Sequence, residues 1–186
     1  MPTVRRTITI HAPPAAVWDV LVDIARQPEW MHDLKSVEME TAGPLRPGSR
    51  GVGTVRMFGI SQVDPIEVTE VVPLRRFALR HLGRFTGAAT FELSARDRGT
   101  ATRVHWTEDL RLDPSTVTGP GLLGRLPGMT RTLQALTRAA APVLDPLFAP
   151  VFHVVFRSDL RRLRTLVEEG RQDRGTEPSA PTSGTP

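Results

Sequence analysis

The sequence has no cysteine and no tyrosine, and Lys35 is the single lysine among its 186 residues. Without cysteine there can be no disulfide, no thiolate metal site and no thiol nucleophile. Without tyrosine there is no phenol side chain. Long hydrophobic runs are missing as well. No stretch of about 18 apolar residues predicts a transmembrane helix. The first residues lack the charged-then-apolar pattern of a secretory signal. A soluble, cytoplasmic protein is the expectation. HExxH, a P-loop, GxGxxG and GxSxG are all absent, and no two histidines stand at the i, i+4 spacing of a zinc-binding helix. These patterns predict neither a metal nor a cofactor.

What the sequence does have is arginine. The formal charge is +4, and the pI is near 11.0. A nucleic-acid surface usually clusters its basic residues. Here most arginines lie beside acids, as in residues 92–103, so no nucleic-acid partner is expected. The exception is Arg157, Arg161, Arg162 and Arg164, which reads as the solvated face of a helix. Apolar residues make up 39%, enough for a folded globular chain. The length suits one domain with a sizeable core.

Residues 3–11 alternate loosely, with Val4, Ile8 and Ile10 on one parity, and predict an opening strand. Pro13 and Pro14 end it and open a helix that carries Val17, Val20, Leu21 and Ile24 at helical spacing. A second short helix is expected over 27–32, then a strand over 34–40. Further strands are expected over 51–58, 66–72, 76–82, 85–95 and 101–112, separated by turn-like residues 59–65, 73–75, 83–84 and 97–99. Connections this short imply an antiparallel meander. Beyond Pro114, Met129, Leu133, Leu136 and Ala140 mark a helix. Pro142, Pro146 and Pro150 are expected to interrupt it. A final helix follows, with Val151, Phe152, Val155, Phe156, Leu160, Leu163 and Val167 along one stripe. Residues 171–186 show no apolar periodicity and read as a disordered tail. Helices before and after a run of strands predict an α+β fold.

That order, with three specific stretches, resembles the START-like superfamily, and within it the polyketide cyclase/dehydrase and lipid-transport branch. The stretches are IHAPPAAVWDVLVDIARQPEW (10–30), VTEVVPLRRF (68–77) and FELSARDRGTATRVHW (91–106); the ending DLRRLRTLVEE (159–169) looks like the family's terminal helix. The resemblance covers about residues 3–170. It implies a helix-grip fold: a curved antiparallel sheet of about seven strands wrapped around a long C-terminal helix, with two short helices after the first strand and an apolar cavity between sheet and helix. The domain is then 1–170. Residues 114–150 form an insertion longer than the simplest members need, read as an extra helix and a lid over the cavity mouth, or else as a surface loop.

Parity nominates the cavity walls. On the last strand Glu108 shares the parity of Val104, Trp106, Leu110 and Leu112. A carboxylate among apolar neighbours is a candidate acid, base or hydrogen-bond anchor. The bland alternative is that it turns outward or pairs with an arginine. His81 shares parity with Phe77 and Leu79, which makes it the candidate proton carrier. His105 has the opposite parity and is expected to face solvent. Trp30, Met31, Met57, Phe58, Phe85, Phe91, Trp106, Phe152, His153 and Phe156 are the candidate ligand-lining residues, although core packing explains any one of them as well. Three functions follow. The first is binding of a small hydrophobic partner, such as a lipid, polyketide or isoprenoid, as carrier or sensor. The second is a polyketide cyclase or dehydratase using Glu108 and His81 in the same cavity. The third is a protein-interaction module.

Overall fold

The computed structural model describes residues 3–57, 60–112 and 129–175. Its elements run β1 (Thr3–Ile10), α1 (Pro14–Val22), a 3₁₀ turn (Ile24–Arg26), α2 (Gln27–Trp30), β2 (Leu34–Met39), β3 (Arg50–Met57), β4 (Ile60–Val72), β5 (Arg76–Leu82), β6 (Phe85–Arg96), a 3₁₀ turn (Asp97–Gly99), β7 (Ala101–Leu112) and α3 (Met129–Gly175). The seven strands form one antiparallel sheet in the order β1-β7-β6-β5-β4-β3-β2. The fold is α+β, and the long C-terminal helix packs on the sheet.

Local chemistry accounts for most of these elements. Pro14 sits at the start of α1, where its missing N–H costs no helical hydrogen bond. Val17, Trp18, Val20 and Leu21 of α1 are buried. The second helix is shorter than 27–32, because Met31 is already extended and leads the chain towards β2. On β6 the alternation holds, with Ala89, Phe91 and Leu93 buried and Ala88, Glu92 and Ser94 exposed. Phe156, Leu160, Leu163 and Val167 of α3 are buried at steps of four, three and four, which brings one stripe onto the sheet. Arg157, Arg161, Arg162 and Arg164 are exposed, as a solvated face should be.

Three boundaries differ from expectation. β4 begins at Ile60 rather than Ile66, so residues read as a turn belong to a strand. Pro65 misled that reading. It pairs with Val52 on β3, but the β4–β5 ladder begins only at Ile66. The side of β4 beyond that ladder asks nothing of the missing proline N–H. Second, α3 is one helix of 47 residues through all three prolines. Pro142, Pro146 and Pro150 stand four apart, so their missing donors fall along one side of the helix. No separate extra helix precedes the terminal one among the described residues. Third, the helix extends to Gly175, so the expected tail from Arg171 starts too early. Of the expected insertion, residues 114–128 lie outside the described residues, as do residues 176–186 of the tail.

Candidate ligand cavity

A cavity of about 120 Å³ lies between the sheet and the helices. Stacked rings form and back its apolar wall, with Phe77 behind the lining. Phe77 and Phe91 have ring centroids 6.4 Å apart, Phe91 and Trp106 4.9 Å, and Trp106 and Phe156 4.3 Å, all near-parallel. This column of rings runs from β5 across β6 and β7 to α3. Phe91, Trp106, Phe152, Phe156, Phe85 and Met31 all line the cavity.

The polar part of the wall is built by strand register. Glu108 on β7 lies opposite Ala89 on β6, and His81 on β5 lies opposite Gly87. Strands two apart are roughly 10 Å apart, so His81 and Glu108 meet only because β6 puts glycine and alanine between them. Gly87 is fixed for a second reason. Its φ is +138°, and a Cβ there would overlap the Asp109 carbonyl. From β4, Asp64 has the same parity as Ile66, the register partner of His81, and so reaches the imidazole diagonally.

The result is a short chain of hydrogen bonds. His81 Nδ1–H donates to Asp64 Oδ2 at 2.6 Å, and Nε2–H donates to Glu108 Oε1 at 2.9 Å. Trp106 Nε1–H donates to Glu108 Oε2 at 2.8 Å. Burial works against a charged imidazole here. The hydrogen bonds to Asp64 and Glu108 outweigh it and hold the His81 pKa up at about 10. At neutral pH the imidazole between Asp64 and Glu108 therefore carries both its protons. Asp64 Oδ1 is buried and has no partner among the described residues.

A second acidic group lines the helical side. Asp159 on α3 is 3% exposed, and its Oδ1 accepts the His32 N–H at 3.0 Å. Burial pushes its pKa up to about 7, against that hydrogen bond and with help from Asp33. Burial likewise raises Asp33, which also lines the cavity.

Glu108 and His81 both line the cavity, and among the described residues Glu108 meets no arginine. His105 is on the opposite face, bonded to Thr7 and Thr107. Two nominated residues do not line the cavity. Trp30 is fully buried behind the wall, edge-on to Phe91 and Trp106 at 6.1 and 6.2 Å, so it supports the lining without forming it. His153 is off the cavity too; its carbonyl accepts Arg6 Nε–H from β1 at 3.4 Å. Phe58 and the Met57 side chain lie outside the described residues. Sequence reasoning missed Asp64, Asp33 and Asp159. Asp64 hid in a segment read as a turn. Asp159 lies three residues after Phe156, so the helix stripe already pointed it inward.

Among the described residues no helix is long and apolar enough to cross a membrane, and no group of three or more metal-ligating side chains is placed to hold an ion. Solved structures share this architecture at low sequence identity, which shows the fold alone. TTHA0849 from Thermus thermophilus aligns with a TM-score of 0.67 and 19% identity over 91% of this chain and 99% of its own. The Zhui aromatase/cyclase from Streptomyces sp. R1128 aligns at 0.63 and 18%, over 96% and 99%. A START superfamily protein from Mycobacterium smegmatis aligns at 0.57 and 15%, over 94% and 99%. No curated protein sequence gives a significant match. The family model described as polyketide cyclase/dehydrase and lipid transport matches residues 1–168, and the chain belongs to that family.

Proposed function

We propose that the protein binds a small, largely apolar molecule between α3 and the sheet, as a carrier or sensor. The observation that carries this reading is the cavity itself, walled by stacked rings and fitted with a few convergent polar groups. An apolar cavity of about 150 Å³ takes up benzene in another protein, so about 120 Å³ suits one ring of a ligand rather than a whole long-chain lipid. The test is native mass spectrometry of the purified protein with extraction of bound small molecules, followed by titration with the neutral probe N-phenyl-1-naphthylamine. A co-purifying apolar molecule, or saturable probe binding, supports the reading; neither one appearing overturns it.

A cyclase or dehydratase is the second reading, favoured by His81 and Glu108 lying on one wall. Their chemistry weighs against it. Both ring nitrogens of His81 are occupied, and a pKa of about 10 keeps its proton bound at neutral pH. Both oxygens of Glu108 already accept hydrogen bonds. Full turnover by a Glu108→Gln variant on an identified substrate would remove the acid–base role.

A further inference from the structure

The charged groups around the cavity are unbalanced. Asp64 and Glu108 line its sheet side, and Asp33 and Asp159 its helical side. Among the described lining residues there is no arginine or lysine. The one cation, His81, has spent both N–H groups on carboxylates. Lys35 and Arg162 lie near the helical pair but are exposed and outside the lining, with Lys35 bonded to the His32 carbonyl. A carboxylate or phosphate brought into this cavity would meet four acidic side chains and no free cationic donor.

One buried oxygen asks for the opposite partner. Asp64 is 8% exposed and lines the cavity, and its Oδ1 has no donor among the described residues. A buried carboxylate oxygen left unpaired is costly and rare. A hydroxyl would satisfy its geometry but leave the charge. A protonated amine answers both needs. Trp106 and Phe156 line the same cavity and offer apolar surface to the rest of such a ligand.

We infer that the cavity takes a ligand whose apolar, ring-sized body carries a protonated amine, and that it rejects carboxylates and phosphates of similar size. This rests on the cavity-binding reading above and names the chemical class of its ligand.

Three probes on one frame test it: 2-phenylethylamine, 2-phenylethanol and phenylacetate, titrated into the full chain at pH 7 by calorimetry and by the tryptophan indole N–H resonances. The amine is expected to bind at least tenfold more tightly than the alcohol, with phenylacetate binding undetectable. Raising the salt should weaken the amine and leave the alcohol unchanged. Asp64→Asn should bring the amine to within about threefold of the alcohol. If that variant does not fold, Asp159→Asn should lower the amine preference two- to threefold. An alcohol that matches the amine, phenylacetate that binds as well as either, or a preference untouched in every folded variant overturns the inference while leaving apolar binding intact. If none of the three probes binds, nor N-phenyl-1-naphthylamine, the cavity-binding reading falls and this inference falls with it.

Discussion

On the sheet side of the cavity, Asp64 and Glu108 share an imidazolium; on the helical side, Asp33 and Asp159 share no lining cation. Both sides bury carboxyl groups, yet the response differs. Where a titratable base sits between the acids, the base is driven to keep its proton. Where none does, an acid is driven to take one up. Burial alone therefore does not set charge in this cavity. The deciding factor is whether the strand register delivers a counter-charge within hydrogen-bond reach.

The most disruptive way to break the contrast is to remove the counter-charge. His81→Leu leaves two buried carboxylates without it, and is expected to lower unfolding stability by about 3–5 kcal/mol in urea titrations at pH 7. A loss under about 1 kcal/mol would mean that the imidazolium does not hold the two acids together.

The pH dependence separates the sides next. His81 has a folded-state pKa above its ordinary 6.5, so its contribution is complete below about pH 6.5 and is lost as pH rises through about 10. Asp159 is raised from 3.8 to about 7, so its contribution is complete below about pH 4 and is lost as pH rises through about 7. Asp159→Asn should flatten the stability profile between about pH 4 and 7, removing a drop on the order of 4 kcal/mol, and leave the window up to about pH 10 in place. A profile unchanged by this substitution would place the neutral-pH titration elsewhere.

Trp106→Phe keeps an aromatic ring in the column but takes the donor from Glu108 Oε2. The expected cost is about 2 kcal/mol, read by thermal unfolding. The smallest change sharpens the sheet side alone. A Cβ at Gly83 would stand 2.9 Å from Pro65 Cδ and 3.0 Å from Asp64 Oδ1. Gly83→Ala is expected to cost about 1 kcal/mol and to shift the His81 imidazole resonances, with those of the Asp159 region unmoved.

The sheet side was the more legible in the sequence, for a geometric reason. A period of two fixes which face a side chain takes, so Glu108 and His81 could be assigned inward from their strands alone. That they touch was not legible, because it depends on Gly87 and Ala89 standing between them on a third strand. Asp64 escaped because Pro65 resembles a turn signal, and only strand pairing shows that its missing N–H costs nothing. The continuity of α3 escaped for a similar reason: three prolines are a strong break signal locally, yet their four-residue spacing confines the lost bonds to one side of the helix. Asp159 lay on a readable stripe but was passed over as a polar residue at an apolar position.

The place of β1 sets an order in time. Strands β2 to β7 are neighbours in sequence and in space, and can pair hairpin by hairpin as the chain emerges. β1 cannot. Thr3 pairs with Asp109 and Ile10 with Thr102, so the first strand made must wait for the last. Such a long-range closure slows folding. Until β7 arrives, the apolar residues of β1 have no strand to cover them, and that interval is when the nascent chain is most exposed to misassembly. Glu108 belongs to the same late strand. The polar end of the cavity is therefore completed in the step that closes the sheet, and until then Asp64 and His81 stand without Glu108.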